Sequence, residues 1–356
     1  MLSSTIYFFC DSSTKTDTKD DSSLIKDAHH IVSNHFFSMN EIAIANKIRD
    51  LNTKFGFGFR FYIFDSARPL RVGEIATDHL APNIMTNIMT NIMKSSGMSR
   101  VLLTFPKLEL AYFDAYLSSL SSSKKYIYQL IEGYRALLGS LNLLVSNQII
   151  HNSLNFNTIV VHKESPILTN FSFSVDLQNS AFDWSQYFLL RKLDKFCPVE
   201  FYLLQYQVTN KQELSMYNIE TIIKEFSKDC LKDSKTDINL SYFVKYTNKS
   251  FLKNLEEALK YWNTWDNYAL SMVYLDILNN TFLNKDNKFI SDFMKLLVGY
   301  INLEPSKRGL FNLTSTLFED MIRRLELKDF RELASNATRE STRESTSNAT
   351  RESTNK

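Results

Sequence analysis

The chain has 356 residues, of which 44% are hydrophobic, enough apolar content for one two-lobed domain or two small domains around a sizeable core. Its 41 basic residues nearly balance 39 acidic ones, so the net charge of +2 supplies no general drive toward nucleic acid or a membrane surface. Cys10, Cys197 and Cys230 are odd in number and widely spaced, which argues against a disulfide scaffold or a Cys-type zinc site and for a reducing intracellular compartment.

Near the N-terminus, Ile6-Tyr7-Phe8-Phe9 is too short and lacks the basic flank of a signal peptide, and no later run approaches membrane-spanning length. A Ser/Thr/Asp/Lys tract follows and reads as loop. His29, His30 and His35 lack a clear partner at ligand spacing, so no metal is expected there. Asn40-Glu41-Ile42, with Ile44, Ile48 and Leu51, has helical spacing. Phe57, Phe59, Phe61, Tyr62, Ile63 and Phe64 predict a core strand, and residues 101–106 another. Between these strands Asn83-Ile84-Met85-Thr86 recurs at 87–90 and, ending in Lys94, at 91–94. Its period is close to one helical turn. It reads as a repeat expansion in a tolerant loop, with a helix lying in a surface groove as the other reading.

From Ile127 through Leu130, Ile131, Tyr134, Leu137, Leu138, Leu141, Leu144 and Val145 the apolar spacing predicts one long amphipathic helix ending near Asn147. Ile149 and Ile150 lead into a loop opening on His151. Residues 158–161 and 166–168 predict a hairpin across a polar turn, with Thr169-Asn170-Phe171-Ser172 at its exit. Further on, one helix is expected to carry Ile219, Ile222, Ile223 and Phe226 on a face with Asn218 as its cap. A second carries Leu252, Leu255, Leu259 and Trp262, after a polar break at 233–239. Asp266 opens another helix, where capping and the helix dipole favour a carboxylate. From Ser335 the chain repeats Asn-Ala-Thr-Arg-Glu-Ser-Thr with almost no apolar residue and is expected to be disordered. Its sequons at Asn336 and Asn348 would matter only in a secreted protein.

In order and spacing, His151-Asn152-Ser153-Leu154-Asn155-Phe156-Asn157-Thr158 and Asn170-Phe171-Ser172 resemble the protein kinase loops H-R-D-L-x-x-x-N and D-F-G. His151, Leu154 and Phe171 match. The position of the catalytic-base Asp is Ser153, that of the loop Lys is Asn155, that of the metal-binding Asn is Thr158, that of the magnesium-holding Asp is Asn170, and that of the Gly is Ser172. Pro198-Val199-Glu200 resembles A-P-E, and Pro305-Ser306-Lys307-Arg308 resembles the segment whose Arg pairs with that Glu. Asp266-Asn267-Tyr268-Ala269-Leu270-Ser271-Met272 resembles D-x-W-x-x-G, whose Asp caps a central helix and hydrogen-bonds the backbone around the catalytic-loop His. The helix at Glu41 resembles the kinase αC helix, with Lys26 as the best placed candidate for the nucleotide-binding Lys. No glycine precedes Gly56 to let backbone N–H groups close on phosphates. The segment from Cys197 to Tyr206, with the helical insertion after it, is similar to divergent kinase-like proteins of large DNA viruses.

The resemblance implies an α+β, two-lobed protein kinase-like fold. A small β-containing N-lobe would span 1–105, and a mostly helical C-lobe 106–332 with an insertion at about 207–262. Residues 333–356 would be a disordered repeat tail. It implies structural roles for His151, Phe171, Glu200, Asp266 and Arg308, and nucleotide contacts, if any, at Lys26, Glu41 and Asn170. The chemistry missing at Ser153, Asn155, Thr158, Asn170 and Ser172 implies a pseudokinase that scaffolds or regulates a protein partner, without metal or cofactor, in the host cell cytoplasm if viral. The docking surface is expected on the insertion, within 210–250. One alternative is an atypical Ser/Thr kinase using ATP and Mg²⁺ through displaced residues such as Asn157 or Asp176. Another is a helical interaction protein unrelated to kinases.

Overall fold

The structure, a computed structural model, describes residues 27–33, 36–69, 100–230, 240–281 and 287–325. These form an α+β chain, mostly helical with small antiparallel sheets. The chain divides into two compact units. The first holds the described residues up to Glu109 together with Asn170–Ser172, and the second holds Leu110–Thr169 and the described residues from Phe173 onward. The division falls a few residues beyond the expected one at 105. Lys26, Cys10, the repeat at 83–94, the polar break at 233–239 and the tail from 333 lie outside the described residues.

In the first unit, β1 (Asp27–Ser33), α1 (Phe36–Phe55), β2 (Ser66–Pro69) and β3 (Arg100–Pro106) follow one another, and the antiparallel sheet has the order β1-β3-β2. Asp27 stands opposite Pro106, and Ser66 opposite Thr104. Helix α1 buries Phe37, Ile44, Ala45 and Ile48. Ala45 meets Phe64, Leu103 and Phe105 in a core that Ile42, Tyr62, Ile63 and Val101 extend. The strand expected over Phe57 to Phe64 is not formed. Gly56 and Gly58 sit at φ +64° and +69°, a left-handed backbone that a strand cannot continue through, and regular pairing starts only at Ser66. The aromatic residues still pack, with Phe61 and Phe64 buried and Phe59 exposed. The irregular stretch is pinned where Asp65 N–H donates to the Thr104 carbonyl at 2.7 Å and the Arg49 guanidinium donates to the Phe64 carbonyl.

The second unit begins with β4 (Ala111–Tyr112), α2 (Phe113–Ser118) and the long helix α3 (Ser123–Ser146). The Ser122 side chain accepts from Lys125 N–H at the start of α3, and the apolar stripe read from sequence is its buried face. The expected hairpin is β6 (Ile159–His162) with β7 (Ser165–Leu168), turning through Lys163 and Glu164 at φ +49° and +66°. Two left-handed central residues match the twist of the flanking strands. Strand β4 pairs with β6. Ile149–Ile150 forms β5, pairing with β8 (Val175–Asp176), so a two-residue ladder brackets the loop at His151.

The helices that follow are α4 (Trp184–Leu190), α5 (Val199–Asn210), α6 (Met216–Cys230), α7 (Phe251–Leu259), α8 (Trp265–Thr281), α9 (Lys288–Tyr300) and α10 (Phe311–Arg323). Every residue of α8 from Trp265 to Leu275 is buried, the mark of a helix at the centre of a core rather than on its surface. Tyr134 of α3 joins the bundle. Its ring meets Tyr274, Phe293 and Phe318 edge-on at 4.8, 5.0 and 4.7 Å, one from each of α8, α9 and α10.

Three readings of the insertion change. The cap of α6 is Ser215, whose hydroxyl accepts from Asn218 N–H at 3.2 Å while Asn218 Oδ1 accepts from Ser215 N–H at 3.0 Å. Asn218 is the reciprocal member of a capping box rather than the cap itself. On α7, Leu252 was expected on the buried face but is 65% exposed. The helix instead turns inward the amide of Asn254, which donates at 2.9 Å both to Gln207 Oε1 and to the Tyr246 carbonyl. Burying that amide unpaired would cost more than exposing one leucine. The apolar face of α6 is covered, with Ile219, Ile222, Ile223 and Phe226 all buried, so it is not the exposed docking patch expected from sequence. Among the described residues no helix is long and apolar enough to cross a membrane.

Candidate functional site

The sequence-derived candidates fall in both units. In the second unit the loop between β5 and β6 is held from beneath by α8. Asp266, in the first turn of that helix, is buried, and its two oxygens accept the backbone N–H groups of His151 and Asn152, each at 2.7 Å. Two successive amides converge on one carboxylate because Asn152 takes φ +61°, a left-handed conformation that asparagine tolerates better than most residues. Burial pushes the Asp266 carboxyl up to about 6, against the pull of these two donors.

His151 is fully buried. Burial lowers its imidazole to about 4, so the ring is neutral. Its Nε2 lies 3.1 Å from the Thr169 carbonyl, which can only accept, so Nε2 carries the proton. Nδ1 then accepts the Ser153 N–H at 3.4 Å, and the His151 carbonyl accepts the Ser174 hydroxyl at 2.9 Å. Each polar atom of the histidine thereby ties one stretch of loop to another, a structural use rather than a proton-transfer one.

The three positions to which the resemblance assigns chemistry, Ser153, Thr158 and Asn170, carry neutral oxygens. Ser153 is buried in the loop, with its hydroxyl 3.5 Å from His151 Nδ1. The Thr158 hydroxyl donates to the Ser153 carbonyl at 2.9 Å and accepts the Asn155 N–H at 3.0 Å, closing the loop on itself. Asn155 Oδ1 accepts the Asn157 N–H at 2.8 Å. In the first unit, Asn170 has φ +60°, and its side-chain oxygen accepts the Ser172 hydroxyl at 2.6 Å. Phe171 is buried with its ring 6.0 Å from that of Phe61. The Glu41 carboxylate accepts the Phe171 N–H, and burial pushes Glu41 up to about 7. Asn40 donates to the Ser172 carbonyl at 2.9 Å, so the start of α1 grips this segment at two points. Among the described residues no cation pairs with Glu41, and no group of three or more His, Cys, Asp and Glu could hold a metal ion.

Glu200 and Arg308 meet as a buried bidentate pair, Nη1 to Oε1 and Nη2 to Oε2 both at 2.8 Å, with side chains 0% and 1% exposed. The rest of each group is also satisfied. Trp265 Nε1 donates to Glu200 Oε1 at 3.3 Å, and Arg308 Nε donates to the Asn302 carbonyl at 2.7 Å. Gly309 follows because no other residue fits: an added Cβ would lie 1.9 Å from the Tyr300 ring.

Sequence reasoning missed Arg191. Directly after α4, its buried guanidinium donates to the Asn152 carbonyl, to Tyr187 Oη and, at 3.2 Å, to Cys197 Sγ. It lies over the rings of Phe201 at 4.9 Å and Phe173 at 5.2 Å. This cation bridges the His151 loop to the segment that ends at Glu200, and aromatic faces supply part of the stabilisation that water would otherwise give. Its one sequence signal is a cation closing the aromatic run Trp184, Tyr187 and Phe188, a pattern with no family position attached. Comparison of the chain with protein-family models and with curated proteins finds no match.

Proposed function

We propose that the chain is a protein kinase-like scaffold that keeps the frame of a phosphotransferase without its chemistry and acts as a binding or allosteric partner of another protein. The observation that carries this reading is the Asp266 carboxylate gripping the backbone of His151 and Asn152 beneath a loop whose chemical positions are Ser153, Thr158 and, after the hairpin, Asn170. The buried Glu200–Arg308 pair supports it, since the resemblance calls for that pair between the same two motifs. So does α1 presenting Glu41 to the backbone of Phe171.

The residues present do not fit ATP with Mg²⁺. Phosphoryl transfer needs carboxylates that hold the metal and a base that orients the hydroxyl. Thr158 and Asn170 offer neutral oxygens already committed to their own loops. The displaced candidates fare no better, because Asp176 closes a turn by accepting the Gln178 N–H at 2.9 Å and Asn157 is an exposed turn residue. The purified protein is expected to transfer no γ-phosphate to generic substrates above a Ser153→Ala control. The combined variant Ser153→Asp, Thr158→Asn and Asn170→Asp is expected to stay inactive as well. Robust transfer by the natural chain, abolished by Asn170→Ala, would replace the scaffold reading with an atypical kinase.

A further inference from the structure

The 3₁₀ turn Leu240–Tyr246, helix α7 and the turn after it enclose one ammonium group in an aromatic cage. Lys245 Nζ lies 3.7 Å from the ring centre of Tyr242, 5.1 Å from that of Tyr261 and 5.5 Å from that of Tyr246. Glu257 closes the remaining side, its Oε1 2.8 Å from Lys245 Nζ, while Oε2 takes the exposed Lys260 at 2.5 Å. The Tyr246 ring is fully buried, and its hydroxyl has no hydrogen-bond partner among the described residues. The Lys245 side chain remains 25% exposed, so the cage has an open side.

Three aromatic faces and a carboxylate around one cation match a weakly hydrated alkylammonium better than a primary ammonium, which gives up strong hydration to sit there. Lys245 has a flexible four-carbon stem and can swing to solvent, whereas Tyr242 and Tyr246 sit on the 3₁₀ turn, Glu257 on α7 and Tyr261 in the turn that follows α7. We propose that this cage is a recognition site for a di- or trimethylated ammonium, such as a methylated lysine side chain of a partner protein, and that Lys245 is its built-in plug. Dimethylammonium keeps one N–H for Glu257, and trimethylammonium keeps the ring contacts and its charge attraction to that carboxylate, so both fit, the former with the added hydrogen bond. The cage lies in the insertion to which the sequence reading gives recognition. Its biological use therefore rests on the scaffold reading, whereas its ligand chemistry does not.

The test titrates the full chain with choline, with a peptide carrying one trimethyllysine, and with the same peptide unmethylated, read by Tyr ring signals in NMR and by calorimetry. Lys245→Ala should bind the methylated peptide roughly tenfold tighter than the natural chain, as expected when a plug filling the site about nine-tenths of the time is removed. Tyr261→Ala added to it should abolish binding. Choline binding as tightly as the peptide would place the source of the cation in a free small molecule or headgroup and overturn the partner assignment. Should Lys245→Ala fail to fold, Lys245→Gln, which keeps most of the stem and removes the ammonium, takes its place. In the natural chain, high choline should still perturb the Tyr242, Tyr246 and Tyr261 rings. No gain in a folded plug-free variant, equal binding of the unmethylated peptide, or no ring perturbation in the natural chain overturns the proposal. None of these outcomes depends on nucleotide binding, so failure of the cage and failure of the scaffold reading are told apart.

Discussion

Arg308→Ala is expected to lower the free energy of unfolding by about 3 to 5 kcal/mol, the usual cost of leaving a buried carboxylate without its partner. Glu200 is 0% exposed, and after the substitution, among the described residues, only the Trp265 indole would remain to donate to it. The Asn302 carbonyl would lose its donor at the same time. Denaturant unfolding measures the loss as a lower midpoint at unchanged slope. The double variant Glu200→Met with Arg308→Met should recover part of it, because both charges then leave together and apolar volume replaces them. A loss below about 1 kcal/mol for Arg308→Ala would mean the pair is solvated rather than buried.

Asp266→Ala should cost about 3 kcal/mol or more, since two buried N–H groups lose a charged acceptor, each such bond being worth roughly 1.5 to 3 kcal/mol. Its pH signature separates it from a simple cavity. Asp266 is raised from 3.8 to about 6 in the folded chain, so over that range the folded state binds the extra proton and stability falls as pH rises. His151 is lowered from 6.5 to about 4, so over that range the unfolded state binds the extra proton and stability rises with pH. In the natural chain the two slopes oppose each other between about pH 4 and 6. Glu41, raised from 4.5 to about 7, adds a slope that falls with pH in both chains, so Asp266→Ala removes one of two falling slopes and its stability should rise more, or fall less, between about pH 4 and 6 than that of the natural chain. Parallel profiles for the two chains over that range would show that burial does not raise Asp266.

Much of the second unit was legible before any coordinates. The stripe from Ile127 to Val145 has one period and one partner face, and α3 forms over it. The β-branched run at Ile159 and the apolar return at Ile167 fix the hairpin, while Lys163 and Glu164 supply the turn. Glu200, Arg308 and Asp266 were singled out by the resemblance of their segments to kinase motifs, and as buried charges they are held by partners at both ends, which constrains residue type. Where reasoning failed, the deciding interaction was not local. Phe57 to Phe64 has the aromatic content of a strand, but Gly56 and Gly58 set the backbone, and the aromatic side chains pack with no more than an isolated bridge at Phe61. Leu252 lost the inward face of α7 to Asn254, whose acceptor is Gln207, far away in sequence. Arg191 and the tyrosines around Lys245 were invisible for the same reason. Each is an ordinary surface-type residue until tertiary structure closes around it.

The most direct measurement is a thermal-shift titration of the full chain with ATP, with and without Mg²⁺ or Mn²⁺. A ligand that binds only the folded state stabilises it by mass action, about 2.7 kcal/mol at a hundredfold excess over its dissociation constant. With Thr158 and Asn170 in place of metal-holding groups, millimolar ATP is expected to leave the midpoint unchanged whether or not metal is present. A metal-dependent rise in the midpoint that disappears in Asn170→Ala would contradict the account and favour the atypical-kinase alternative.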